Sequence, residues 1–151
     1  MAEYNTESLV AKIESCAVGV FASSRFGKLS EINFDHDINY GPDGLDIRND
    51  LLNIDYPTST ITDVGHNKHV YQFDLMAARL IKQDDTDTNQ HKFADLETKM
   101  WKILQCLSIC DIIVLPNVNV IREVGTFNDK LLTIDFNVQL EVYSYCINPP
   151  C

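Results

Sequence analysis

Basic residues are scarce in this chain: 12 Lys and Arg stand against 22 Asp and Glu, a net charge of −10 over 151 residues. A stable grip on nucleic acid needs a Lys/Arg footprint that neutralises phosphates, and no such cluster exists here, so that class of function is excluded. Anionic membrane surfaces are disfavoured for the same reason. Long apolar runs are also missing, and no stretch approaches the roughly 20 residues that span a bilayer. Glu3, Glu7 and Glu14 occupy the place where a secretion signal is basic, and Gly19 interrupts the apolar run from Cys16 to Ala22, so synthesis in the cytoplasm is expected. The five cysteines (Cys16, Cys106, Cys110, Cys146, Cys151) are odd in number, scattered and without a CxxC pair, which predicts reduced thiols and no disulfide framework. A GxSxG elbow, a P-loop and a dinucleotide-binding glycine pattern are all absent.

What is present is enough apolar side chain, 45% of residues, to build one core in a chain of this length, read as a single domain spanning 1–151. The acidity is uneven. Between Glu31 and Asp63, eight acids face the lone base Arg48, a local charge of −7 that leaves only −3 for the rest. This region, 31–63, reads as an irregular acidic excursion with short strands around Ile32, Phe34 and Ile38 and a turn at Tyr40-Gly41-Pro42-Asp43-Gly44.

Periodicity organises the remainder. Leu9, Val10, Ile13, Cys16, Ala17, Val20 and Phe21 recur every three or four residues, which predicts a helix over Thr6–Ala22 capped by Asn5 and stopped by Ser23, Ser24 and Gly27. Strand character at Ser59–Val64 turns through Gly65-His66-Asn67 into an apolar strand, His69–Lys82, expected to be central and covered on both faces. A second helix over Lys92–Leu107 aligns Phe93, Leu96, Met100, Ile103, Leu104 and Leu107, with Glu97, Lys99 and Lys102 toward water and Thr88 or Asn89 as its cap. At the end, a strand from Asn117 to Val124 precedes a strict alternation from Leu132 to Tyr143, and Asn128-Asp129 between them predicts a hairpin. That last strand is about twice the usual length, so its far half is expected to project beyond the sheet toward another subunit. The fold class is therefore α+β, an antiparallel sheet with a long C-terminal hairpin packed on two amphipathic helices. A short tail follows at 147–151, extended by Pro149-Pro150.

Chemistry-bearing constellations are weak. Asp35-His36-Asp37 has the residue types of an acid–base or hard-metal site, but in an extended segment His36 points away from both carboxylates. Asp85, Asp87 and Asn89 match the first three ligand positions of a calcium loop, yet Gln90 stands where its glycine belongs and Leu96 where its bidentate Glu belongs, leaving weak cation binding at most. A metal-dependent hydrolase built on these acids is the least favoured reading. His66 and His69 flank a turn without two further zinc ligands nearby, and Cys106 and Cys110 continue an apolar pattern. No catalytic, cofactor-binding or metal residue is therefore assigned, and no cofactor is expected. Candidate interface residues are Trp101, one place off the apolar stripe of its helix, and Asp135, Asn137, Glu141, Tyr143 and Tyr145 on the polar side of the last strand. Tyrosines there supply contact area at small entropic cost.

The order of elements, with a first amphipathic helix, an irregular stretch, the strand Val70-Tyr71-Gln72-Phe73-Asp74-Leu75, the helix Ala94–Leu107 and a closing strand Leu131–Tyr145, resembles the tail terminator and tail completion proteins of tailed bacteriophages. The resemblance covers most of the chain from Ser59 onward and carries no diagnostic motif, so no residue role is transferred. It implies a non-enzymatic virion subunit that forms a homo-oligomeric ring in the neck or tail, touches neighbouring connector or tail proteins and lets DNA pass without binding it. The acidic region 31–63 and the Pro-Pro tail depart from the usual pattern. The competing reading is a monomeric acidic adaptor or immunity-type module that binds a basic protein partner.

Overall fold

The computed structural model describes residues 3–28, 50–81, 86–125 and 131–144. Helix α1, Thr6–Ala17, starts at Asn5, whose side chain accepts the Ser8 amide at 2.8 Å while the Ser8 hydroxyl accepts the Asn5 amide at 2.9 Å. It buries Leu9, Val10, Ile13, Cys16 and Ala17. The helix ends before the expected Ala22 because Gly19 takes a left-handed φ of +80°, letting the chain reverse while the amides of Val20 and Phe21 both bond to the Ala17 carbonyl at 3.0 Å. Phe21 still reaches the core. Of the residues read as a stop, Ser23 and Ser24 open strand β1, Ser23–Phe26, and Gly27 follows it.

Strands β2 (Leu51–Ile54), β3 (Thr58–Asp63) and β4 (Lys68–Leu80) come next, then helix α2 (Asn89–Ser108) and strands β5 (Ile113–Val114), β6 (Asn119–Gly125) and β7 (Leu131–Tyr143). Thr88 caps α2, its hydroxyl accepting the His91 amide at 3.1 Å. β4 and β7 form the spine of the sheet, paired antiparallel from Lys68↔Tyr143 to Leu80↔Leu131. β2 and then β3 occupy successive stretches of the free side of β4, and β6 and then β5 do the same for β7. The class is α+β as expected, but the sheet is mixed, because β1 joins β2 in parallel. The end of β7 does not project either: β4 is equally long and pairs with it throughout. β6 and β7 pair as the hairpin alternation requires, while the connecting residues 126–130, like Asp35-His36-Asp37, Asp85, Tyr145 and the tail 147–151, lie outside the described residues.

The β4–β7 register decides the two faces. Tyr71, Phe73, Leu75 and Ala77 lie opposite Leu140, Val138, Phe136 and Ile134, so the buried sets of both strands share one side. There they meet Leu52 and Ile54 of β2, the apolar stripe of α1, and Leu96, Met100, Ile103, Leu104 and Leu107 of α2 in one cluster. Each such fully buried side chain contributes about 1.5–3 kcal/mol. The opposite face of β4 is not covered along its length, contrary to expectation: Ala78 is buried, Met76, Asp74 and Val70 are half-buried, and Gln72 is exposed.

The cysteines also depart from expectation. Cys16 of α1 and Cys106 of α2 are joined by a disulfide, with Cα atoms 5.8 Å apart. A separation of 90 residues gives no local spacing signal, and only the packing of α1 on α2 brings the pair together. Cys110 is a half-buried free thiol.

Candidate interaction surface

The side of the sheet away from the helices, buried only at its Leu51, Ala78 and Leu131 end, gathers most of the sequence candidates. Because β7 alternates, Asp135, Asn137, Glu141 and Tyr143 all turn to the face opposite the helices. Asp74 lies across from Asn137, whose side-chain amide donates to its carboxylate at 2.7 Å, and Gln72 donates to the Asn137 oxygen at 3.1 Å, a polar ladder across the spine. On the other flank, Ile121 stands opposite Asp135 and Ile113 opposite Glu141, each 53% exposed. An acidic centre thus has an isoleucine-lined edge. Tyr143 borders a hollow shared with Glu3, Asp63, His66, Lys68 and Ser144.

Asp135 is the electrostatically marked group of this face. Burial, followed by the like charges of Asp74, Asp55 and Glu123, pushes its carboxyl up to about 6, and one of its oxygens is buried without a hydrogen-bond partner. These acids arrive from β7, β4, the residue after β2, and β6, so only the assembled sheet creates the repulsion.

Trp101 belongs to a different surface. It is 60% exposed on α2 and lines a groove of about 560 Å³ with Leu104, Val114, Pro116, Val118 and Val120. Glu97 and Arg122, joined at 2.6 Å, form part of its wall. Trp101 and the β7 residues are therefore not one contiguous candidate site; the sheet lies between them.

A second charged cluster was missed by sequence reading. Asp50, taken as part of the acidic excursion, sits at the start of β2 with a side chain only 3% exposed, where Arg79 holds it by two bonds of 2.7 Å. Arg79 also reaches Asp95, and Lys99, expected to point to water, binds Asp50. Burial raises the Asp50 carboxyl, but the hydrogen bonds and charges of Arg79 and Lys99 outweigh it, so the net shift is downward. Asp50 has a left-handed φ of 77°, a conformation that Asp tolerates better than bulky residues do. The cluster ties β2, β4 and α2 together, every charge paired, which is the signature of a structural latch and not of a reactive site.

The chemical candidates do not converge. His66 pairs with Asp63 at 2.7 Å, the bond to His66 holding the Asp63 carboxyl below its usual range, whereas His69 meets Ser144 at 3.1 Å and packs on Tyr71. Asp87 is paired with His91 at 2.8 Å, and Asn89 is already the first residue of α2. Among the described residues, no group of three or more His, Cys, Asp or Glu is placed to hold a metal, and no helix is long and apolar enough to cross a membrane. No protein-family profile matches the chain, and a comparison with curated proteins returns no relative.

Proposed function

We propose that this chain is a ring-forming structural subunit of the tail-terminator type, assembling in the neck or tail of a bacteriophage virion around a passage for DNA. The observation that carries the reading is the uneven cover of the sheet: the helices bury one face, while the other is buried only at its Leu51, Ala78 and Leu131 end and elsewhere presents Asp74, Asp135, Asn137 and Glu141 beside the exposed Ile113 and Ile121. Apolar side chains next to half-buried carboxylates suit a subunit contact, in which a neighbour covers the isoleucines and brings donors to the acids. Acids left facing a lumen would repel phosphate and let DNA slide past without being held. The test is whether purified virions contain the protein and whether, by electron microscopy, it forms a ring at the neck or tail end. Absence from the particle overturns the reading.

The same acidic face favours one alternative, a monomeric module that docks a basic protein by charge. That grip weakens steeply as salt rises, whereas a contact centred on Ile113 and Ile121 persists.

A further inference from the structure

We propose that Cys16 and Cys106 act as a reversible, oxidation-driven clamp that fastens the N-terminal helix to α2. Three observations support it. The two cysteines sit on the contacting sides of α1 and α2, their Cα atoms 5.8 Å apart, so bond formation needs no rearrangement of the backbone. The core does not depend on the bond: Leu9, Val10 and Ile13 are buried against the same cluster as Leu96, Met100, Ile103 and Leu107, and a reduced Cys16 fills its place there as a small apolar side chain. Access is unequal, with Cys16 buried and Cys106 half-buried.

This inequality orders the chemistry. In a thiol-rich compartment both residues are thiols. In an oxidising medium containing a small disulfide, the Cys106 thiolate attacks it, forming a mixed disulfide and releasing one small thiolate. The Cys16 thiolate then attacks the Cys106 sulfur and expels the second. In net balance two protein thiols become one disulfide, one small disulfide becomes two small thiols, and the two protons stay with the released thiols. An excess of small thiol runs the sequence backwards.

What the clamp changes is the attachment of residues 3–28. Besides apolar packing, the non-covalent ties of that segment include the Tyr4 amide on the Tyr143 carbonyl at 2.7 Å, the Tyr4 hydroxyl on the Cys110 carbonyl at 2.5 Å, the pairing of β1 with β2, the Ala22 and Gly27 amides on the Asp50 and Ile54 carbonyls, and Arg25 on the Asn53 side-chain oxygen at 2.9 Å. The disulfide makes this attachment covalent and closes a loop between residues 90 apart in sequence. Cys110, whose thiol bonds to the Cys106 carbonyl at 3.2 Å, is the rival partner among the described residues. A Cys106–Cys110 bond would tie one stretch of chain to itself and leave α1 free.

The experiment takes full-length protein through reduced and oxidised glutathione buffers. In Cys110→Ser, peptide mapping should find Cys16 linked to Cys106 after oxidation and not after reduction. In the native sequence, oxidation should raise the thermal midpoint on the order of 10 °C and slow amide exchange in α1, with both effects reversed by reductant. A Cys16→Ser variant should lose that redox response. Linkage of Cys106 to Cys110 in the native sequence, no link from Cys16 to Cys106 in Cys110→Ser, or equal midpoints and equal α1 exchange in the two buffers would overturn the proposal.

Discussion

The two faces of the β4–β7 spine carry the same backbone hydrogen bonds but opposite electrostatic and packing conditions. On the helix side, alternate residues of both strands are fully buried and apolar, and the charges at its end, Asp50, Arg79, Asp95 and Lys99, are mutually paired. On the other side, Asp135 is half-buried and faces the like charges of Asp74, Asp55 and Glu123, and one of its oxygens has no partner. One face stabilises the subunit by itself. The other holds Asp135 in a setting that opposes its charge, and such a surface gains by meeting a neighbour with donors.

The sharpest way to break this contrast is on the covered side. Phe73→Ala empties the centre of the core and should cost about 3–5 kcal/mol in denaturant unfolding. A loss under about 1 kcal/mol would mean that the helices do not pack there as described. Asp50→Asn keeps a side chain tolerant of the left-handed backbone but removes the charge that Arg79 and Lys99 share, and about 3 kcal/mol should be lost at neutral pH. Because the native carboxyl is depressed, the stability Asp50 supplies is present above the unfolded value of 3.8 and is lost as the pH falls through the lower native one. The Asn variant should lack that acid-side loss.

On the uncovered side the sign reverses. The native state holds the Asp135 proton to about pH 6, whereas the unfolded chain releases it near 3.8, so stability falls as pH rises through that window. Asp135→Asn should therefore stabilise the isolated subunit by about 1–3 kcal/mol at pH 7 and flatten the profile between the two values. A destabilised variant would show instead that the carboxylate is satisfied. The smallest effect on folding is expected from Ile121→Asp, which sets a further acid opposite Asp135 and should cost no more than about 1 kcal/mol. Self-association, measured by light scattering, should nevertheless be lost in it, and unchanged association would remove β6 from the contact.

Much of this architecture was legible because its signals are local. The stripe from Leu96 to Leu107, the Thr88 cap and the alternation of β7 all appear at a fixed spacing within one element, so α2 and the β6–β7 pairing were read nearly to their ends. The short strands β1 and β2 were not, since Ser23–Phe26 is polar and Leu51–Ile54 has no alternation to show. Their strand character comes from pairing with distant chain, as with β4. The acidic region misled for the same reason: Asp50 looks like one more loop charge until Arg79 and Lys99 are brought to it from β4 and α2. Asp135, Asn137, Glu141 and Tyr143 were correctly grouped by period two alone, but the shifted Asp135 carboxyl depends on burial in the assembled sheet and on acids from three other parts of the chain.

Sedimentation equilibrium of the native protein over a wide concentration range is the most direct test of the central claim, that the uncovered face is a subunit contact. A closed oligomer of fixed subunit number that persists at high salt and is abolished by Ile121→Asp is the expected result. A monomer at every concentration, with or without the substitution, would contradict it.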